Sequence, residues 1–373
     1  ALTVRRWHFE SLRPVCPQCK HGQKQDFPLQ ITSVLREEGD VILEAVLNCS
    51  NAACQLEYPV IDGIPILMVN TREYIANNLP HLTERDDLPE TLESLLGDSA
   101  GADTLFNRSR QHLSTYGWDA YADLDPAEHE TAASNLPVVP GAVTRCLDLG
   151  LGLLSKPTEG PVLDVGCSVG RSTFELAQKS QNPVLGIDVN FSMLRLAQRV
   201  LQKGTVRYPK RRLGLVYDRR EFAVDFESAD KVDFWACDAQ MLPFANDAFG
   251  LAVGLQVLDA VASPVGLLEA IGRLLKPGGA AILATPYDWS PQVTAIEAWI
   301  GGHSQRSASH GAAEPLLRSL LTADAHPQSI QGLKLDKELL DVPWHTRVHD
   351  RSTMNYSVHL FTALKDESQH EVA

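Results

Sequence analysis

From Gly160 onward, short continuous apolar runs alternate with amphipathic stretches. PVLDVG, PVLGIDV, VDFWACD, LAVGLQV and AAILATP have strand length and lack polar alternation, the pattern of strands covered on both faces. Between them STFELAQKS, SMLRLAQRVLQ and VGLLEAIGRLLK repeat apolar residues at helical spacing. This alternation predicts an α/β domain with a mostly parallel sheet and helices on both faces. In LLKPGGAAILATP, Pro277 and Gly278-Gly279 are expected to stop a helix before the next strand. ELLDVPWHTRVH and NYSVHLFTALK, separated by DRSTM, read as a strand pair closing the sheet.

The chain before Gly160 has a different pattern. From Cys16 to about Val69 it reads as short strands and turns, punctuated by Pro59, Asp62-Gly63 and Pro65. Residues 71–155 look mainly helical and acidic, with a loop over Thr131–Gly141. The predicted division is a β-rich module over 1–70, a helical linker and cap over 71–155, and the α/β domain over 156–373. An insertion between Gln202 and Lys231 contains LGLVYD and EFAVDF, expected to pair as two extra strands.

A length of 373 residues suits one full α/β domain plus a small module, and no apolar run approaches the roughly 20 residues of a membrane span. The opening ALTVRRWHFESLRP lacks the apolar stretch of an export signal, so a cytoplasmic protein is expected. A net charge of −14 argues against general attraction to nucleic acid. Arg207, Lys210, Arg211, Arg212, Arg219 and Arg220 form one basic patch, read as a solvated loop rather than a binding surface. Four of the seven cysteines fall in the first 54 residues, in the pairs Cys16-Pro-Gln-Cys19 and Cys49-Ser-Asn-Ala-Ala-Cys54. The spacing suits a closed, structural zinc site of four thiolates; free buried thiols are the alternative. His303, His310, His345 and His349 crowd the C-terminal third and are read as scattered surface residues rather than a second metal site.

The segment Val162-Leu-Asp-Val-Gly-Cys-Ser-Val-Gly170 ends a buried strand, turns on glycines and enters a helix, an arrangement that brings backbone N–H groups to a ligand. Asp188, ending the next strand in GIDVN, is placed to accept from both ribose hydroxyls of a nucleoside; a helix N-cap is the alternative. Asp238, in CDAQMLPF, is placed to accept from an adenine amine. Together GPVLDVGCSVGRS, GIDVN, ACDAQMLPF and LLKPGGAAILATP resemble the successive motifs of the class I S-adenosylmethionine (SAM)-dependent methyltransferases. The resemblance implies a Rossmann-like doubly wound sheet with an antiparallel C-terminal strand, and SAM contacts from Asp164, Gly166, Cys167, Gly170, Asp188, Asp238, Ala239 and Gln256. SRQHLSTYGWDAY resembles the helix that folds over SAM in small-molecule members, with Tyr116, Trp118 and Tyr121 either walling in the sulfonium or packing the helix onto the core.

CPQC and LEYPVIDGIPILM resemble the small zinc-binding activator subunit of tRNA, rRNA and release-factor methyltransferases, which covers apolar surface and adds a strand to its partner's sheet. Here an intramolecular version is implied. The Asn/Asp-Pro-Pro-aromatic clamp of adenine and glutamine methyltransferases is absent, since Leu255-Gln-Val-Leu-Asp259 stands in its place. Thr285-Pro-Tyr-Asp-Trp289 and Glu297-Ala-Trp299 follow the fifth strand, where open α/β sheets bind substrates. With LQVLDAVASP, this stretch resembles the methyltransferases of ovothiol biosynthesis and the mercaptohistidine N-methyltransferases. A small histidine-derived imidazole is the implied substrate, with Tyr287 and Asp288 orienting the ring and accepting its proton, and Trp118, Tyr121, Tyr287, Trp289 and Trp299 as contacts. A lid packed by these aromatics, an RNA- or protein-directed methyltransferase, and a catalytically silent SAM-binding scaffold stand as alternatives.

Overall fold

The structure is a computed structural model and describes residues 4–130 and 138–367; most of the loop expected over Thr131–Gly141 lies outside them. The strands are β1 (Leu29–Glu38), β2 (Val41–Cys49), β3 (Glu57–Ile61), β4 (Ile64–Leu67), β5 (Val162–Val165), β6 (Val184–Asp188), β7 (Thr205–Leu213), β8 (Val216–Ala223), β9 (Val232–Cys237), β10 (Phe249–Leu255), β11 (Leu275–Thr285), β12 (Leu333–His349) and β13 (Ser352–Lys365). The helices are α1 (Val4–Leu12), α2 (Thr71–Leu82), α3 (Glu90–Ala100), α4 (Leu105–Tyr121), α5 (Pro126–Glu130), α6 (Ala142–Leu153), α7 (Arg171–Lys179), α8 (Phe191–Lys203), α9 (Pro264–Leu274) and α10 (Ala313–Leu320).

Eleven strands form one sheet in the order β1-β2-β3-β4-β9-β6-β5-β10-β11-β13-β12. From β4 to β11 the pairings are parallel, and β13 inserts antiparallel between β11 and β12. This is the Rossmann-like, mostly parallel sheet with an antiparallel C-terminal strand. The strands read as unbroken apolar runs because both faces are covered: Trp235 packs on one face with Phe249, Leu267 and Leu317, while its neighbour Phe234 packs on the other with Phe174, Leu194 and Trp118.

The N-terminal strands continue that sheet. Asp62-Gly63 turns β3 into β4, and the fully buried Ile64-Pro65-Ile66-Leu67 lies alongside β9, pairing Ile66 with Ala236 and Leu67 with Cys237. Val15 donates to the Pro243 carbonyl at 2.8 Å, and the His21 ring nitrogen Nε2 lies 2.9 Å from the Leu242 carbonyl, fixing the cysteine loop against the α/β domain.

Two boundaries differ from the sequence reading. The helix before Pro277 ends at Leu274, because Leu275 already pairs with Phe249; the next partners are Leu251 and Ala280, so Lys276–Gly279 bulge out of the ladder. In the insertion LGLVYD and EFAVDF do not pair with each other: Gly214 (φ 57°) and Leu215 form the turn that splits the first, the rest of it and the start of the second share β8, and β8 pairs with β7 as a separate antiparallel ribbon.

Candidate cofactor and substrate site

At the carboxyl ends of β5, β6, β9 and β10 a cavity of about 500 Å³ opens under α4. Gly166, Cys167, Asp188, Asp238, Ala239 and Gln256 line it. Gly166 (φ 69°) begins the turn after β5, and a Cβ there would meet Val257 at 2.8 Å. Gly170 does not line the cavity. At φ 92° it lets the start of α7 sit against Phe234 and Ala197, which a Cβ would meet at 2.7 and 2.8 Å. Asp164 is likewise beneath the loop rather than on the wall, accepting from the hydroxyls of Ser172 (2.6 Å) and Thr173 (2.7 Å); burial raises its carboxyl to about 6. Both residues therefore shape the loop from below, a correction to the direct contacts the motif implied.

Asp188 is not the N-cap of α8; Asn190 is, accepting from Met193 N–H. Each oxygen of Asp188 takes one backbone N–H, from Ser168 and from Asn190, both at 2.9 Å. A carboxylate has further lone pairs, and these are free for the cavity. Burial raises the Asp188 carboxyl, while those two amides oppose the shift. Asp238 accepts from Gln240 N–H at 2.9 Å. Gln256 is held at φ 56° just past β10, its N–H bonded to the Ala284 carbonyl at 2.6 Å, and its side-chain Nε2 is buried without a partner. A strained backbone that presents an orphaned donor to a cavity marks a ligand contact.

The cap helix α4 puts His112, Tyr116 and Asp119 on the cavity wall. Tyr116 is 44% exposed. Trp118 and Tyr121 are in the core instead, and the Tyr121 hydroxyl donates to the Val169 carbonyl at 2.7 Å, which ties the cap to the glycine loop. They hold α4 in place and do not face a substrate. Asp119 was missed in the sequence reading, although a position three residues after Tyr116 shares its helical face. It is 8% exposed; Oδ2 accepts from Trp344 Nε1 (3.0 Å) and Thr346 Oγ1 (2.9 Å), while Oδ1 is buried without a partner. Burial pushes its carboxyl up to about 7. Arg171 also reaches the wall, but its charge is taken by Asp123 and Glu175.

Beyond β11 the predicted substrate residues separate into two groups. Asp288 N–H donates to the buried Asp259 carboxylate at 2.7 Å, and Tyr356 donates to Asp288 at 3.2 Å. Asp259 also acts electrostatically on the phenols of Tyr116 and Tyr356, both raised chiefly by burial; of these four groups Tyr116 lines the cavity, and Asp259, Asp288 and Tyr356 lie outside its wall. Tyr287 turns away at φ 57°: its hydroxyl lies 2.7 Å from His359 Nδ1, and His359 Nε2 lies 3.0 Å from Glu338. Trp289 and Trp299 stack at 6.2 Å. None of Tyr287, Trp289 and Trp299 lines the cavity. His310, His345 and His349 bond backbone groups, and no histidine joins a metal-type cluster among the described residues.

In the N-terminal module the Sγ atoms of Cys16, Cys19, Cys49 and Cys54 lie within 4.8 Å of one another. Cys16 and Cys54 are 3.9 Å apart, and Cys19 and Cys49 3.8 Å. Tetrahedral zinc with bonds of about 2.3 Å sets neighbouring sulfurs about 3.8 Å apart, so the residues fit that ion. Tyr58 Oη lies 3.1 Å from Cys16 Sγ, and Asn51 donates to Cys49 and Cys19.

Residues 163–283 match a family model described as a methyltransferase domain. With the sheet order above, that match supports a methyltransferase domain of the class I, SAM-dependent type over this part of the chain. Among curated relatives, Methyltransferase GfsG of Streptomyces halstedii is 27% identical over 188 residues, 50% of this chain and 56% of that protein. Phosphoethanolamine N-methyltransferase 1 of Arabidopsis thaliana is 28% identical over 136 residues, 36% of this chain and 23% of the relative. The chain thus spans about half the length of the first curated relatives it matches. A solved complex between the Haloferax volcanii Trm112 methyltransferase activator and a methyltransferase matches 69% of this chain and 100% of that one, at 16% identity and a TM-score of 0.37.

Proposed function

We propose that this protein transfers the methyl group of SAM to a ring nitrogen of a small, histidine-derived imidazole, and that zinc on Cys16, Cys19, Cys49 and Cys54 has a purely structural part. The observation that carries the reading is the cavity where Asp188, Asp238 and the orphaned Gln256 amide meet Tyr116 and Asp119 of the cap. SAM supplies an electrophilic methyl group, so the chain has to bind, align and desolvate its two ligands. Asp188 accepts from ribose hydroxyls, Asp238 from the adenine amine, and Gly166 and Cys167 bring backbone to the ligand. Tyr116 offers an aromatic face to positive charge.

The acceptor is nitrogen in this reading because, with Asp188 and Asp238 turned to SAM, the carboxylate left on the wall is Asp119, whereas the lining guanidinium of Arg171 is already neutralised. Such a wall favours a cation or an N–H donor over an acidic hydroxyl. The matched relatives include O-methyltransferases as well as an N-methyltransferase, and it is the wall chemistry that favours nitrogen. Asp119 and Asp288 are the groups suited to take the N–H proton. Tyr287, bonded to His359, supports the strand end beside Asp288.

Calorimetric titration tests this directly. SAM and S-adenosylhomocysteine are expected to bind at micromolar strength, and a mercaptohistidine is expected to bind the cofactor-loaded protein and turn over. Failure of SAM to bind overturns the whole reading; SAM binding without any imidazole ligand overturns the substrate assignment.

A further inference from the structure

The basic run in the β7–β8 ribbon has no part in the cofactor site, yet it is not a solvated loop. The ribbon folds back over α3, α4 and α8. Gly117 of α4 gives it room, since a Cβ there would meet Tyr208 Cγ at 2.6 Å, and the Arg220–Asp125 pair (2.7 and 2.6 Å) and the Ser114–Arg211 bond (2.8 Å) lock it down. Between these elements lies a second cleft of about 120 Å³, whose lining sets six arginines, at 85, 110, 195, 199, 207 and 219, against the four carboxylates of Glu84, Asp86, Glu90 and Glu93.

Four of these arginines have carboxylate partners: Arg85 with Asp87, Arg195 with Asp62, Arg199 with Asp86 and Arg219 with Glu93. Arg110 and Arg207 have none within ion-pair distance among the described residues. Arg207 donates only to the Leu88 carbonyl at 3.2 Å. Arg110 is 5% exposed, with its guanidinium over the rings of Tyr217 (4.3 Å) and Phe106 (5.5 Å), and its buried Nε–H has no partner. Tyr208 also lines the cleft, but its hydroxyl lies among the charges of Asp125, Glu128, Arg220 and Arg347 and belongs to the other end of α4. Burial lowers both guanidiniums from their usual range, and for Arg207 the neighbouring charges of Arg219 and Arg199 add to it. Glu93, already paired with Arg219, acts on both, and Asp98 and Glu221 on one each, so two cations and one orphaned guanidinium donor have only shared, longer-range compensation in one desolvated cleft.

We propose that this cleft binds a phosphate-class oxyanion through Arg110 and Arg207. Guanidinium forks suit tetrahedral oxyanions, and the cleft is well below the ~300 Å³ of a drug-sized pocket, so only an ion-sized group fits inside. The occupant steadies the cap over the cofactor: α4 carries Arg110 and then Asp119, and α8 carries Arg199 and Met193, so both helices border both cavities.

The test is titration of the protein with sodium phosphate at constant ionic strength made up with chloride, with and without S-adenosylhomocysteine, read by calorimetry and thermal unfolding. A saturable rise in Tm that persists with S-adenosylhomocysteine is expected. Arg207→Gln should weaken phosphate by about tenfold or more, the loss of one charge-assisted contact, while leaving SAM affinity in phosphate-free buffer unchanged. Arg110→Lys keeps the charge but loses the fork, and serves if Arg207→Gln does not fold. Adenosine monophosphate identifies the source: tighter binding than inorganic phosphate means the terminal group of a phosphomonoester, equal or weaker binding the free ion. The proposal is overturned if phosphate does no more than chloride, if S-adenosylhomocysteine abolishes its effect, or if it binds wild type and both variants equally.

Discussion

Asp188 and Asp119 are both buried carboxylates on one cavity wall, but their surroundings give them different work. Asp188 receives two backbone N–H groups and so is held for further donors, as its position after the GIDVN strand implied. Asp188→Ala should weaken SAM by about 100-fold, from two charge-assisted bonds, and destabilise the fold by roughly 1–3 kcal/mol because Ser168 and Asn190 lose their acceptor; calorimetry and denaturant melts separate the two effects. Asp119 receives two side-chain donors on one oxygen and nothing on the other. Its folded carboxyl titrates near 7, above the roughly 3.9 of an unfolded chain. Between those values the native state holds a proton that the unfolded state has released, so the stability this one carboxyl contributes is fully present below about pH 4 and is lost as pH rises through about 7. Asp119→Asn, whose side-chain oxygen still accepts from Trp344 and Thr346, should flatten that slope and make the ligand-free protein more stable at pH 8, by an amount on the order of 1–4 kcal/mol. Urea melts at pH 5 and pH 8 decide it; an unchanged slope removes Asp119 as its source. Asp119 was illegible in the sequence because its partners sit more than 220 residues away on β12.

At the level of elements, legibility followed locality. The strands from β5 to β11 and the helices between them were readable because each carries its own apolar period, and the glycine loop because its conformation is written in Gly166 and Gly170. The end of α9 was misplaced because strand pairing of Leu275 with Phe249 overrode the local Pro-Gly-Gly signal. Tyr287 and Trp289 were expected on the substrate wall, since nothing local shows that a left-handed residue after β11 swings the ring toward His359. The same holds for Trp118 and Tyr121: a helix drawn alone shows aromatics on several faces, and only the sheet beneath decides which are buried. Gly117 offers an element-scale test. Gly117→Leu would drive a side chain into Tyr208, so the ribbon should lift from α4 and Tm should fall, with overpacking of this kind worth about 1–3 kcal/mol. Proteolysis at the Gly214-Leu215 turn should quicken in the variant; an unchanged cleavage rate would mean that the Arg220–Asp125 and Ser114–Arg211 contacts hold the ribbon by themselves.

Across the whole molecule, the cysteine module and the methyltransferase domain share one sheet. β4 is the join, with both its faces buried and its backbone paired to β9, while Phe9 lies 5.9 Å from Trp235 across the same core. β9 is thereby an interior strand, and without β4 its edge would be open to pairing with other chains. The cluster of four thiols includes Cys16 and Cys19 of the loop that Val15 and His21 hold against the domain. Zinc bound there, as proposed, would close a β module too small to build a sufficient core of its own, and the module in turn covers Trp235 and the β9 edge. The coupling sets an order of events. Cys16→Ser should lower zinc content and Tm together and promote aggregation, while SAM affinity in the remaining soluble fraction stays near wild type, since no module residue lines the cofactor cavity. Removing residues 1–69 should go further, giving a chain that collects in the insoluble fraction because β9 loses a parallel neighbour. Metal analysis, light scattering and SAM titration on the same samples test the sequence: metal loss with unchanged Tm breaks the link between zinc and fold, and a soluble, SAM-binding fragment from residue 70 onward breaks the link between module and domain.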